Sequence, residues 1–146
     1  MLKTSQRTIK EIILHCSATP EGRSHDAEDI NRWHRAKGWS GIGYHYVIKI
    51  NGIVENGRDV DQMGAHAKGH NAHSIGICYI GGVDQDNKPK DTRTPEQDIS
   101  LVFLLRMLVD RYPEAKIIGH NDISDKACPS FDVQDEFNWL HGKDAK

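Results

Sequence analysis

A chain of 146 residues, 37% of them hydrophobic and 27% charged, has the size and composition of one folded domain over residues 1–146, whose core we place at about 11–140. Its formal net charge of -2 provides no broad positive field, so nucleic acid is not an expected ligand. No segment has the apolar length of a signal peptide or of a membrane span, so we expect synthesis in the cytoplasm and no membrane insertion.

The first predicted elements are a strand and a helix. Residues 11–15 are mostly branched and apolar, which indicates a buried strand. Ser24 or Asp26 can cap a helix over residues 26–37, because their side chains accept hydrogen bonds from the first free amides of a helix. Gly38 then ends this helix.

The middle of the chain predicts further strands. Residues 44–50 are mainly β-branched and aromatic, which favours a strand, and Asn51-Gly52 favours a tight turn. This turn leads into an antiparallel partner over residues 53–56. A polar loop then precedes residues 74–82, an apolar run that indicates another buried strand ending in a turn.

The last third of the chain predicts two helices and a strand. Thr94 and Gln97 have the spacing of a capping box, which begins a helix that we expect to end at about Arg111. Apolar residues cover most of the circumference of this helix, so we expect it to be the most buried one. Residues 116–119 form a short strand, and Asp132 can cap a final helix. This order of elements predicts an α/β domain with a central, mostly mixed β-sheet flanked by about three helices.

Two strands share one pattern, because EIILH ends at His15 and KIIGH ends at His120. If these strands are parallel neighbours, both histidines emerge at the same edge of the sheet. Cys128 follows eight residues after His120, and two imidazoles with one thiolate suit a zinc site whose fourth position stays open for catalysis. Cys16 faces away from its neighbour His15, so we assign it to packing.

The residues by themselves leave alternatives open. A second metal site could use His66, His70 and His73, although glycine and asparagine make that stretch a loop in which helical spacing does not align them. A thiol hydrolase could use Cys16 beside His15, although adjacent strand residues face apart. The three cysteines are an odd number and lie far apart, which indicates reduced or metal-bound thiols. Packing or surface positions, rather than ligand roles, are expected for His34, His45 and Cys78.

Four motifs in this order resemble the zinc-dependent N-acetylmuramoyl-L-alanine amidases of the type 2 amidase and peptidoglycan recognition protein family, and most of all the amidases of T-odd coliphages. The motifs are HCSAT, GWSGIGYHYVI, GAHAKGHNAHSIGICYIGG and KACPSFD. The resemblance implies the fold of that family and one Zn²⁺ per chain, with His15, His120 and Cys128 as its ligands. It also implies catalytic roles for Tyr44 and Lys126.

The resemblance further implies hydrolysis of the amide between N-acetylmuramic acid and L-alanine in peptidoglycan. Zinc would lower the pKa of water to about 7 and polarise the carbonyl, while Tyr44 and Lys126 stabilise the oxyanion. Substrate contacts are implied for three residues of the glycine-containing loop: His66, Lys68 and Asn71.

The expected setting is a phage or prophage endolysin, a monomer released by a holin to degrade the cell wall and lyse the host. Alternatives are an amidase that recycles cell-wall fragments and a peptidoglycan-binding module without catalysis. The coliphage relatives also bind RNA polymerase, so that partner is a further expectation from the resemblance.

Overall fold

Apolar side chains on the strands and on one face of each helix build a five-stranded sheet with helices packed against it. The computed structural model describes residues 2–141 and residue 143. In chain order the elements are β1 (Glu11–Cys16), β2 (Thr19–Pro20), α1 (Ala27–Ala36), β3 (Tyr46–Ile48), β4 (Val54–Asn56), β5 (Ser74–Tyr79), β6 (Gly82–Val83), α2 (Pro95–Arg111), β7 (Lys116–Gly119) and α3 (Val133–Phe137).

The main sheet has the strand order β4-β3-β5-β1-β7. Only β4 is antiparallel to its neighbour, while β1 runs parallel to both β5 and β7. Ile12 and Ile13 point to opposite faces of this central strand and are both completely buried, so both faces of the sheet are covered at β1. The predicted mixed sheet with three helices is confirmed. None of the helices in the described ranges has the length and apolar content that crossing a bilayer requires.

Local side-chain hydrogen bonds set the starts of the helices. Asp26 accepts a hydrogen bond from the Asp29 amide and begins α1, while Thr94 accepts one from the Gln97 amide and begins α2. Asp132 caps α3 in the same way. The caps of α2 and α3 were predicted, and for α1 the structure selects Asp26 over Ser24.

The two strands predicted over 44–50 and 74–82 are shorter in the structure. β3 covers only Tyr46–Ile48, and β5 ends at Tyr79. Gly81 and Gly82 have φ values of 130° and 98°, which turn the chain out of the main sheet. The chain then forms β6, which pairs with β2 in a separate two-stranded sheet that the sequence did not predict.

Helix α2 is buried on one face and exposed on the other. Leu101, Leu105 and Leu108 lie in the main core. Five residues of this helix are buried, more than in either other helix, as predicted, but Ile99 and Phe103 are 60% and 66% exposed, so the burial is confined to one face. The sheet covers a single side of the helix, and within residues 2–141 and 143 no other element buries Ile99 and Phe103.

Candidate metal centre and active site

His15 and His120 lie at one edge of the sheet because β1 and β7 are parallel and in register. Leu14 on β1 pairs with Gly119 on β7, and the next residue in each segment is a histidine. The centroids of the two imidazole rings are 4.6 Å apart. The Sγ atom of Cys128 joins them, and the three possible donor atoms all lie within 4.8 Å of one another. These three side chains can therefore hold a metal ion.

Hydrogen bonds to the sheet hold the turn that carries Cys128. The backbone amide of Cys16 donates to Sγ of Cys128 over 3.1 Å. The hydroxyl of Tyr79 donates to the carbonyl oxygen of Pro129 over 2.7 Å, and the hydroxyl of Ser130 donates to the carbonyl of Gly82 over 2.8 Å. Cys128 is thus anchored through its own sulfur and through the two residues that follow it.

The thiols of Cys16 and Cys128 lie next to each other. The side chain of Cys16 belongs to the main core, as predicted, and Cys128 packs against that core. A hydrogen bond with the Cys16 thiol, together with burial, raises the pKa of Cys128. A bound metal ion would have to displace the proton of this thiol, because the thiolate is the ligand form.

Burial favours the neutral form of both histidines in the cluster. His15 is 1% exposed, and its burial, followed by the effects of His66 and His120, lowers its pKa well below the usual value. The pKa of His120 is lowered by burial and by the positive charge of Lys126. Neutral imidazoles are the form that binds metal ions.

Tyr44 and Lys126 both lie close to this cluster. The ring centroid of Tyr44 is 5.0 Å from that of His15. Burial, followed by the nearby thiol of Cys78, raises the pKa of Tyr44 well above its usual value, so its hydroxyl stays protonated and can donate a hydrogen bond. The side chain of Lys126 is exposed, and after burial its positive charge is the second cause that lowers the pKa of His120.

The three residues expected at the substrate have different surroundings. Lys68 is exposed at the surface. Oδ1 of Asn71 accepts hydrogen bonds from the amides of His66 and Ala67, at 2.9 and 3.0 Å, and thereby shapes the loop. Nδ1 of His66 lies 2.8 Å from Nε2 of His15, a contact that the sequence did not predict. No local sequence signal marks it, because the two histidines are 51 residues apart.

The other histidines and thiols do not form a second metal site in the described part of the chain, where the His15 cluster is the one group with suitable spacing. His70 instead binds Glu11 at 2.8 Å. His34 and His45 are buried, and their Nδ1 atoms accept backbone hydrogen bonds, which confirms their packing role. All three cysteines are free thiols, as predicted, and Cys78 is fully buried.

Comparisons with known proteins agree with this arrangement. The profile of the N-acetylmuramoyl-L-alanine amidase family matches residues 5–131, a range that contains all three possible metal ligands. The endolysin of Enterobacteria phage K11 is 41% identical over 131 residues, which is 90% of this chain and 87% of the relative. The endolysin of Escherichia phage T7 is 44% identical over 123 residues, or 84% and 82% of the two chains. The solved structure of N-acetylmuramoyl-L-alanine amidase LysC from Clostridium intestinale URNW is similar with a TM-score of 0.76 at 28% identity, covering 90% of this chain and 87% of that chain.

Proposed function

Since this chain belongs to the N-acetylmuramoyl-L-alanine amidase family, we propose that His15, His120 and Cys128 bind the single zinc ion with which it works. The protein hydrolyses the amide bond between N-acetylmuramic acid and L-alanine in peptidoglycan, as the phage endolysins among its relatives indicate. The observation that carries the metal proposal is the close approach of three donor atoms at the carboxyl edge of the sheet.

The donor set suits zinc. Two imidazoles and one thiolate are typical zinc ligands, and three protein ligands leave one tetrahedral position for reactants. Bond lengths of about 2.0–2.3 Å place tetrahedral donors roughly 3.3–3.6 Å apart. The three possible donor atoms, all within 4.8 Å of one another, lie close to this spacing.

The residues around the cluster provide the remaining chemistry of amide hydrolysis. When bound, zinc supplies Lewis-acid polarisation of the scissile carbonyl and a nucleophile from water near neutral pH. Tyr44 donates a hydrogen bond to the carbonyl oxygen as negative charge develops there, a kind of contact often worth about 3 kcal/mol. Lys126 adds positive charge from the solvent side. One of these two residues also helps to deliver the proton that the leaving amine requires.

Substrate contacts in this proposal come from the loop that contains His66, Lys68 and Asn71. Lys68 is exposed and free to meet a polar group of the glycan or the stem peptide. His66 and Asn71 already bind protein groups, so their contacts with substrate would be made in addition to those bonds or in exchange for them. Exchange of Lys68 for Ala is expected to raise KM more than it lowers kcat.

The biological setting is also part of the proposal. The endolysin relatives support release of the protein to the cell wall at host lysis through a holin-dependent opening, after synthesis in the cytoplasm. We take the working unit to be a monomer, which sedimentation would test. Binding to a phage RNA polymerase rests on the resemblance to T-odd coliphage amidases, and a pull-down with the cognate polymerase that recovers none of this protein would refute it.

Mass spectrometry of products from purified sacculi tests the activity and its metal together. The expected products are stem peptides with a free L-alanine amine, which disappear with a zinc chelator and return when zinc is added. Binding to sacculi with no products from sacculi or soluble muropeptides would instead indicate a binding module. Products from soluble muropeptides alone would indicate an enzyme that recycles cell-wall fragments.

A further inference from the structure

We propose that His66 is a positioning residue that orients the ring of His15, so that Nδ1 of His15 faces the metal ion. This inference rests on the proposed zinc site and adds a residue outside its ligand set. The loop that contains His66 would then support the metal centre through His15, in addition to the substrate contacts proposed for it.

A continuous chain of polar contacts supports this role. Nε2 of His15 lies 2.8 Å from Nδ1 of His66, and the two rings meet edge to face with centroids 4.9 Å apart. Nε2 of His66 lies 3.2 Å from Oγ of Ser74, the buried first residue of β5. Each nitrogen of the His66 ring therefore has one partner in the protein.

The order of protons along this chain follows from the chemistry of a metal ligand. With Nε2 of His15 engaged by His66, Nδ1 is the nitrogen left to bind the metal, and the proton of His15 lies on Nε2. That N–H donates to Nδ1 of His66, whose own proton lies on Nε2 and points to Ser74. Metal-binding histidines generally donate their second N–H in this way, which fixes the tautomer and the ring orientation.

The surrounding backbone leaves little room for the His66 ring to move. A Cβ atom at Gly64 would lie 2.6 Å from Cδ2 of His66, and one at Gly76 would lie 2.7 Å from the same ring. Both positions therefore require glycine for the ring to fit. Oδ1 of Asn71 also accepts a hydrogen bond from the backbone amide of His66, so the ring and the backbone are both constrained.

Two substitutions of similar size separate positioning by a hydrogen bond from simple packing. His66→Gln retains an acceptor for the N–H of His15, whereas His66→Leu fills similar space without one. We expect His66→Leu to weaken zinc binding about 10–100-fold and His66→Gln to retain most of the affinity. Competition with a chromophoric zinc chelator at one fixed pH measures the zinc affinity of each variant. The absorption bands of the cobalt(II)-substituted proteins report the ligand geometry.

His73→Leu is the matched control, since His73 is an exposed histidine of the same loop. The proposal is overturned if His66→Leu binds zinc like the wild type with an unchanged cobalt spectrum, or if the Gln and Leu variants lose affinity equally. In both cases the wild-type protein still binds zinc and the metal site stands. Failure of the wild type itself to bind zinc would overturn the metal site and this inference together.

Discussion

The hydroxyl of Tyr79 is expected to stabilise the turn that presents Cys128, and Tyr79→Phe removes it without changing the shape of the core. Tyr79 is the last residue of β5 and is 2% exposed. Its hydroxyl donates to the carbonyl oxygen of Pro129, which is itself buried. The variant therefore deletes one buried hydrogen bond next to Cys128, a proposed metal ligand, and leaves the carbonyl without this donor.

The magnitude follows from the burial of both groups. A typical hydrogen bond contributes about 1 kcal/mol net, and a buried acceptor left unpaired costs about 1–3 kcal/mol. We therefore expect Tyr79→Phe to lower the free energy of unfolding by about 2 kcal/mol. For a chain of this size that corresponds to a fall in Tm of roughly 4–8 °C. Zinc affinity should fall as well, because the turn of Cys128 is less constrained.

Urea unfolding of the metal-free protein measures the stability change, and chelator competition measures the change in zinc affinity. Tyr46→Phe is the control, because Tyr46 is equally buried but its hydroxyl makes no hydrogen bond among the described residues. This control should change stability by less than about 0.5 kcal/mol. Equal unfolding free energies for the two variants would refute the reasoning.

The cysteine of the candidate metal site, the buried histidines and the ion pairs of Arg93 can each be tested separately. Cys128→Ser is expected to lose zinc on dialysis and amide hydrolysis with it; an active variant without zinc would contradict the assignment. Burial lowers the pKa values of His34 and His45 to about 4, while unfolded histidines titrate near 6.5. The unfolded chain thus binds more protons between about pH 6.5 and 4, so stability should fall as the pH is lowered through that window. Equal urea midpoints of the metal-free protein at pH 7 and pH 5 would contradict this expectation. The side chain of Arg93, 6% exposed, binds both carboxylate oxygens of Glu136 at 2.6 and 2.7 Å. Arg93→Ala should therefore lower the free energy of unfolding by about 2 kcal/mol, a value between those of exposed and buried ion pairs. A loss below about 0.5 kcal/mol in urea unfolding would contradict a stabilising role for this ion pair.

Features that depend on near neighbours in the chain were predictable. The caps at Asp26 and Thr94 join residues three positions apart, so the residue types alone indicated where α1 and α2 begin. The strand ending at His15 was visible from its apolar residues. The parallel pairing with the strand that ends at His120 was a hypothesis from a shared pattern, and the register of β1 and β7 confirms it.

Features that depend on distant packing were not predictable from local patterns. Strands β2 and β6 have two residues each, too few for any periodicity to reveal. The apolar residues of α2 gave no sign of which side the sheet would cover, since Ile99 and Phe103 resemble buried residues in type but lie in solvent. Burial is a property of the assembled layers, and a single helix does not determine it.

The reaction class could be inferred from the chain alone, because the four family motifs indicate an N-acetylmuramoyl-L-alanine amidase without reference to any distance. The contacts that support the site, by contrast, follow from the packing of distant segments. His66 lies behind His15 and Tyr79 holds the Cys128 turn because β5 runs beside β1 in one register. These contacts join residues about 50 positions apart, and such pairs are specified by the packing of the whole sheet rather than by any segment of the chain.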